Sequence, residues 1–513
     1  MQNPILKSIV VAVISLLVGQ TSFAQRQMEK LGRGLVVLKT NSSQTYLGWR
    51  LLATDPDDVT FNVYRSINGG SATKLNASPL TATTDFTDTT VGSTNLASFS
   101  VSYDVRSVIG GVEQAASPSY TVPVAALTKQ FVSMPLQPVT GGAYAPYDVK
   151  FVWVGDFDGD GEYDYLVDRL STTTASNQYL QAYKRDGTFL WQMDMGPNSV
   201  NQYAYEPGSS AISIGDTDNV TVYDMDGDGK AEVLVRTANG VTVTNAVGTQ
   251  VAAITAGNDT TQYVSVINGL SGAEMARTTL PNPWAVYGTL TSKCAIAYLD
   301  GVRPSVVFYG YNRDDTGTGN FYRVFNAFDY RNGALTVRWT TPQWGGEGHQ
   351  IRVADVDHDG KDEICDLGFT IDDNGSILFD NTELHHGDRF HISDMDPDRP
   401  GMETFIIQQN NSSLLSTAYY ESGTGKMIRR QYNSNVVDVG RGDAGDFNQN
   451  YLGMEMFSTQ PGMWGAKGNL ISQPTGQPVF PTLGIWWDAD NLREFMSGAN
   501  ATLSTPTIDK WVV

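Results

Sequence analysis

Apolar and polar residues alternate with a period of two in the first quarter of the chain. Val59, Phe61 and Val63 are interleaved with Thr60, Asn62 and Tyr64, and Phe99, Val101, Tyr103 and Val105 with Ser100, Ser102, Asp104 and Arg106. Successive side chains of a strand point to opposite faces, so this period predicts antiparallel strands with one buried and one wet face. Asp55-Pro56-Asp57-Asp58 and Asn68-Gly69 are turn signals around the first of them. About 95 residues so patterned, Met28 to Val124, suit an immunoglobulin-like or fibronectin-like β-sandwich of accessory role. We bound that domain at residues 25–127 and assign 128–513 to a second.

After a linker carrying Pro135, Pro138, Gly141, Gly142 and Pro146 the pattern changes. Short runs rich in β-branched and apolar residues, such as EVLV, EICDL and ETFII, each follow an acidic turn, which gives strand–turn–strand units. The strand phrases Leu180–Tyr183, Tyr263–Ile267 and Val324–Phe328 are followed by Asp186-Gly187, Asn268-Gly269 and Asn332-Gly333, strong hairpin signals. A further strand–turn unit surrounds Ala297-Tyr-Leu-Asp-Gly-Val-Arg-Pro304. A chain of 513 residues exceeds one ordinary core. Its 51 glycines and lack of long helical periodicity predict an all-β protein, and units of a few strands with one similar turn each predict the blades of a β-propeller.

The acidic turns are the chemistry-bearing motif. Asp156, Asp158, Asp160 and Asp164 stand at loop positions 1, 3, 5 and 9, as do Asp224, Asp226, Asp228 and Glu232, and Asp355, Asp357, Asp359 and Glu363. Ca²⁺ takes six to eight oxygens at about 2.3–2.6 Å, which a short Asp- and Gly-rich loop can supply. The main-chain carbonyl at position 7, that of Glu162, Lys230 or Lys361, adds a ligand. Asp394, Asp396, Asp398 and Glu403, then Asp446, Asn448, Asn450 and Glu455, form two variants with one residue inserted before the last acid. An EF-hand would need a Glu at position 12 and flanking helices; here strands follow. The expected cofactor is calcium, in several structural sites and one catalytic one.

A formal charge of −21 argues against nucleic acid or an anionic membrane as partner, and much of the excess lies in these loops, where divalent ions would cancel it. Lys7, the apolar run Ile9 to Val18 and Ser22-Phe23-Ala24 predict a secretory leader over 1–24, cleaved after Ala24, and hence a secreted or periplasmic location; a monomer is the expected state, though no sequence feature sets it. Cys294 and Cys365 sit in apolar strand contexts that suit buried thiols, with one disulfide between them the alternative.

All five histidines fall between 349 and 391. His358 lies inside an acidic loop and is expected to be solvated. His349 in GGEGHQIR, and His385, His386 and His391 beside Asp388 and Arg389, form a cluster expected to line a site. Arg441, between glycines in DVGRGDAGDF, can hold a carboxylate in two parallel hydrogen bonds. There is no Gly-x-Ser-x-Gly, His-Glu-x-x-His or Cys-x-x-Cys, so serine hydrolase, zinc protease and redox functions lack support.

The phrases ADVDHDGKDEI, HHGDRFHISDMDPDRPGMETF, DVGRGDAGDFNQNYLGMEMF and LGIWWDADNLREF resemble the rhamnogalacturonan lyases of polysaccharide lyase family 11. MEKLGRGLVVLKT, GWRLLATDPDDVTFNVYR, VYDMDGDGKAEVLVRTANG, YLDGVRPSVV and FDYRNGALTVRW extend the likeness over the mature chain. The resemblance implies an eight-bladed propeller with several calcium ions, a central cleft, and cleavage of the acidic polysaccharide rhamnogalacturonan by β-elimination. It places Arg441 as carboxylate binder or catalytic partner, His349, His386 and His391 in or near the cleft, and Asp388 with the substrate. Family members continue through a Thr-Lys motif and a closing blade, so the propeller is expected to lack its final C-terminal strands. Tyr309 stands where the family suggests arginine, and Asn448 and Asn450 where it suggests acids. A non-catalytic carbohydrate-binding propeller, or a lyase for another rhamnose–uronate polymer such as ulvan, is the alternative.

Overall fold

A computed structural model of the chain describes residues 26–139, 147–171, 176–200, 219–255, 261–280, 291–313, 321–342, 344–345, 347–348, 350–387, 389–436, 442–458, 462–472, 484–486, 492–497 and 507–509. Within them one short helix, Ser93–Ser98, and one 3-10 turn interrupt an otherwise all-β chain. No helix there is long and apolar enough to cross a membrane. The leader expected over 1–24 lies outside the described residues.

Two antiparallel sheets form the N-terminal region. Val36–Lys39, Thr45–Gly48 and Asp85–Asp88 make one, and Thr60–Ile67 and Val101–Ile109, flanked by shorter strands, make the other. Leu47 of the first and Val63, Val101 and Val105 of the second share one core, on the faces the period-two pattern predicts. Buried Asp88 ties the sheets together by accepting hydrogen bonds from Arg65 (2.6 Å) and from the Tyr103 hydroxyl (2.9 Å), which also meets Thr45 Oγ1 at 2.8 Å.

Seven further sheets follow in chain order. Their first strands are Val152–Gly155, Val220–Tyr223, Thr291–Ala297, Arg352–Ala354, Arg389–Ser393, Gly442–Gly445 and Gly484–Ile485, and the last five sheets follow chain order as antiparallel meanders. In the first two the chain leaves and returns, with Phe189–Asp194 pairing Thr242–Asn245 and Glu232–Ala238 pairing Gln262–Asn268. A separate parallel pair joins Glu347–Gly348 to His386–Gly387. The first strands of the first four sheets neighbour one another in succession, as do those of the last three. Among the described residues no sheet closes on itself.

The cores lie between sheets. Val233 and Val235 pack toward the first sheet while Leu234, between them, packs toward the third. Val306 and Phe308 face backward and Val307 and Tyr309 forward; Ile406 separates Phe405 and Ile407 in the same way. Both faces of each such strand are therefore apolar, which is why the runs are continuous rather than alternating. Cys294 and Cys365 are free thiols at two different interfaces.

The acidic turns link first to second strand in five of the seven sheets. In the third, Tyr298 to Pro304 takes that place, and Asp300 accepts the Val302 (2.9 Å) and Arg303 (2.6 Å) amides. The N-terminal strap crosses three of these turns. Arg26 pairs with Asp362 through both guanidinium nitrogens, and Gly32 N–H donates to Gly161 O. Arg50 reaches Glu162 at 2.8 Å.

Acidic loops and a central cationic site

The loop sequences fold as their glycines require. Gly159 and Gly161 of the first loop and Gly227 and Gly229 of the second have φ between 79° and 92°, in the left-handed region that glycine enters freely. His358, exposed, occupies that conformation in the third loop. Their first acids accept amide hydrogen bonds across the turn: Asp156 from Gly159 and Gly161 (both 2.7 Å), Asp224 from Gly227 (2.7 Å) and Gly229 (3.0 Å), Asp355 from Gly360 (3.1 Å).

The last acid of all five loops makes one common contact. An oxygen of Asp164, Glu232, Glu363, Glu403 or Glu455 accepts the N–H of loop residue two, Phe157, Met225, Val356, Met395 or Phe447, at 2.8–3.0 Å. The residue inserted into the last two loops leaves this contact intact. In four of the five, the second oxygen is directed elsewhere or has no partner: Glu363, Glu403 and Glu455 each keep a buried Oε1 without a hydrogen bond, as Asp355 keeps Oδ1 and Asp446 Oδ1.

Only the first three loops gather carboxylates closely among the described residues. Ligand oxygens of Asp156, Asp158 and Asp164 lie within 4.8 Å of one another, as do those of Asp224, Asp226 and Glu232, and of Asp355, Asp357 and Asp359. Asp357 and Glu363 also meet Asp372, a residue that spacing did not single out. Asp160 and Asp228 instead accept the amides of Glu162 and Lys230, both at 2.8 Å. The Glu162 carboxylate is turned away to Arg50 and Arg185, and Lys361 Nζ pairs with Asp359 and Asp373, so these residues face the loops only through the main chain or by charge.

Burial pushes the Glu232 and Glu363 carboxyls up to about 8 and that of Asp164 up to about 7, with neighbouring aspartates adding. Buried acids that cannot ionise together, with oxygens left unbonded, are a donor set that suits a hard divalent cation. Cationic side chains reach the first, third and fourth loops: Lys184 lies 2.6 Å from Asp158 and Lys361 3.0 Å from Asp359, and the fourth is matched by two cations. Lys467, from the next sheet, lies on Asp396 and at 2.7 Å from Asp398, and Arg399 stands 3.8 Å from Asp396 and Glu403. The fifth holds Asn448 and Asp446 without gathering three acids.

The second feature lies on two short strands just ahead of the fourth and fifth sheets and on the segments around the first strands of the fourth to seventh. Glu347–Gly348 pairs in parallel with His386–Gly387, which sets the Gly-rich and His-Gly-Asp motifs side by side. Tyr309 donates its hydroxyl to Gly348 O at 2.9 Å, bracing that strand. His349, Asp388 and Arg441 lie outside the described residues, each adjoining a described glycine of these strands. His385 is exposed and gives its amide to Gln408 at 2.9 Å. His391 sits further along, stacked on Phe405 at 6.4 Å between ring centroids, with Nδ1 3.6 Å from Asp443 Oδ1 and no hydrogen bond to Nε2.

Desolvation pushes the His391 imidazole down to about 4, with Arg352, Arg389 and Arg493 adding. It is therefore neutral at pH 7, with its Nε2 able to accept. Burial drives Asp443 up to about 6 against the pull of Arg493 and Arg389. Arg389 belongs to the histidine cluster expected from sequence to line a site; Asp443, Arg352 and Arg493 were not singled out, and no short-range pattern marks them.

Residues 132–513 match the family profile described as Rhamnogalacturonan lyase family 11, C-terminal domain, and residues 26–123 the one described as Rhamnogalacturonan I lyases beta-sheet domain. The chain is 33% identical over 530 residues to Rhamnogalacturonan endolyase YesW of Bacillus subtilis (strain 168), covering 95% of this chain and 77% of the relative. To Rhamnogalacturonan exolyase YesX of the same organism it is 31% identical over 536 residues, covering 95% and 80%. The crystal structure of YesX superposes with a TM-score of 0.77 at 29% identity, covering 95% of this chain and 82% of that one. Bacillus licheniformis Rhamnogalacturonan Lyase PL11 gives 0.75 at 31%, covering 95% and 83%.

Proposed function

Since this chain belongs to rhamnogalacturonan lyase family 11, and is thereby a polysaccharide lyase, we propose that it is a secreted, calcium-dependent enzyme cleaving the rhamnose–galacturonate backbone of rhamnogalacturonan by β-elimination. The observation that carries this is the parallel pairing of Glu347–Gly348 with His386–Gly387, which sets the two motifs bearing the candidate histidines side by side.

In the elimination a base takes the proton from C5 of the uronate, its electron pair becomes the C4–C5 double bond, and the C4–O bond breaks. The departing oxygen takes up a proton. The C5 proton is acidic only once the uronate carboxylate is neutralised, the role proposed for Arg441 by a bidentate hydrogen bond. His349, His386 and His391 are the candidate proton carriers, and a neutral imidazole such as that of His391 is in the accepting form at pH 7. Asp388 would hold the substrate or orient its neighbouring histidines.

Calcium, when bound, would cross-link the loops and, next to a uronate, neutralise its carboxylate. Asp156, Asp158, Asp164, Asp224, Asp226, Glu232, Asp355, Asp357, Asp359, Glu363 and Asp372 are the residues that would hold it. The finer architecture belongs to the same proposal: an N-terminal β-sandwich on a propeller whose blades are the seven sheets, exported by the leader over 1–24.

Incubation with rhamnogalacturonan should generate the unsaturated-uronide chromophore, and chelation should abolish it. A polymer that is retained without loss of viscosity would make the chain a binding module, and a chromophore from ulvan alone would reassign its substrate.

A further inference from the structure

Most described arginines of this acid-rich chain are matched to a carboxylate. Arg26, Arg33, Arg50, Arg65, Arg323 and Arg430, for example, each lie within 3.3 Å of an Asp or Glu oxygen. Among the described residues Arg169 and Arg429 meet amide and hydroxyl oxygens instead, and Arg352, Arg389 and Arg493 likewise lack a carboxylate within that range. Arg352 donates only to Ile351 O and Gln350 Oε1, Arg389 keeps a buried Nε without a partner, and Arg493 stacks over the Trp486 ring at 4.2 Å.

These three come from different sheets yet act on one point. Arg389 stands two positions before His391 on one strand, so on the same face, and Arg352 lies over the intervening Phe390 ring at 5.6 Å. Asp443, 3.6 Å from His391, connects them to Arg493. Glycines make the approach possible: a Cβ at Gly484 would lie 2.9 Å from Asp443 Oδ2 and 3.4 Å from Arg493 Nη1, and one at Gly445 would lie 2.8 Å from Arg493 Cδ. Trp486, beside Arg493, leaves 64% of its surface exposed. A large apolar ring held open next to an uncompensated guanidinium presents a flat face and a charge together, which is the pairing an acidic pyranose offers in complement.

Asp443 does not neutralise the group. It is buried, its Oδ1 accepts the Ala444 amide at 2.9 Å, and one carboxylate faces the guanidinium groups of Arg389 and Arg493 and the His391 imidazole. Arginines gathered without matching acids, in a chain with 55 acidic and 34 basic residues, form an anion-binding surface.

We propose that Arg352, Arg389 and Arg493, with Trp486 as stacking platform, form a second uronate-carboxylate subsite, apart from Arg441, that sets affinity for the charged backbone. The inference rests on the lyase reading above, because that reading supplies a polymer with a carboxylate in every repeat. A subsite that grips a uronate not undergoing elimination contributes to binding in ground and transition states alike, so its loss weakens retention of the charged polymer and raises KM.

The test compares the full chain with the variants Arg389→Gln, Arg493→Gln and Trp486→Ala, using native rhamnogalacturonan and the same polymer with its carboxyls reduced to alcohols. Retention by each polymer in affinity electrophoresis is measured separately from chromophore release. The wild type should bind native polymer on the order of ten- to a hundredfold more tightly than the reduced polymer, the scale of a charged hydrogen bond. Arg389→Gln and Arg493→Gln should remove most of that ratio, while Trp486→Ala weakens both polymers about equally. Trp486 is exposed, so that variant probes the site without burdening the fold. Unchanged native-to-reduced ratios in both arginine variants, with melting temperatures as in wild type, overturn the subsite. Absence of chromophore in the wild type with the binding ratio intact overturns the lyase reading and leaves the subsite standing.

Discussion

Replacing Glu363 by glutamine tests whether the acidic loops are built for a cation. Glu363 is fully buried, gives one oxygen to the Val356 amide at 2.8 Å and leaves the other unbonded beside Asp355 and Asp357. Its carboxyl is raised by burial, then by those aspartates, from 4.5 to about 8. In the metal-free protein the folded state therefore keeps this proton where the unfolded chain has released it, so stability falls as pH rises from about 4.5 to about 8. At ~1.4 kcal/mol per pH unit over that span, Glu363 alone costs the folded state ~5 kcal/mol at pH 8, an upper figure comparable with the whole stability of many domains. Calcium reverses the balance by holding the carboxylate ionised; each site at a hundred times its Kd adds about 2.7 kcal/mol. Thermal melts between pH 5 and 8, with chelator and with calcium, should show a falling Tm in chelator and a nearly flat, higher Tm in calcium. Glu363→Gln should flatten part of the chelator slope and lower the calcium gain. Identical melting curves with and without calcium, flat across pH in both, would refute the reasoning for the loops as a set.

Three further outcomes are expected. Arg323→Met should destabilise by about 3 kcal/mol or more in denaturant titration, because it strands fully buried Asp366, and adding Asp366→Asn should recover much of the loss. Gly272→Ala should cost on the order of 1–3 kcal/mol, since φ is 72° and the new methyl would lie 2.8 Å from both Trp191 and Val243 side-chain carbons; a neutral result in the same titration would show that the sheet interface yields. In calcium, stability contributed by neutral His391 is present above pH 6.5 and is lost as pH falls through about 4, a slope that His391→Asn should remove from acid melts.

Much of this architecture was legible locally. The period-two runs gave the N-terminal strands, and the glycines of the acidic turns predicted the left-handed residues found at Gly159, Gly161, Gly227 and Gly229. The spacing between the second loop residue and the last acid also held. It fixes one amide–carboxylate contact, which survives an inserted residue because both partners sit at the ends of strands already paired.

What distinguishes the five loops was not legible, because it comes from elsewhere in the chain. Lys467 lies in another sheet from the acids it pairs with, Asp372 joins the third loop across a hairpin, and Glu162 is drawn off by Arg50 from the N-terminal region. The gathering of Arg352, Arg389 and Arg493 around His391 spans four sheets and about 140 residues, a separation over which no pattern in sequence reports distance. Sequence by itself determined the elements whose causes are local: strand period, turn chirality and the oxygen-rich composition of each corner. Tertiary structure alone decided which corners are left open to a cation, which are already matched by one, and where uncompensated positive charge collects, since those depend on side chains brought together only when neighbouring sheets bury their facing surfaces.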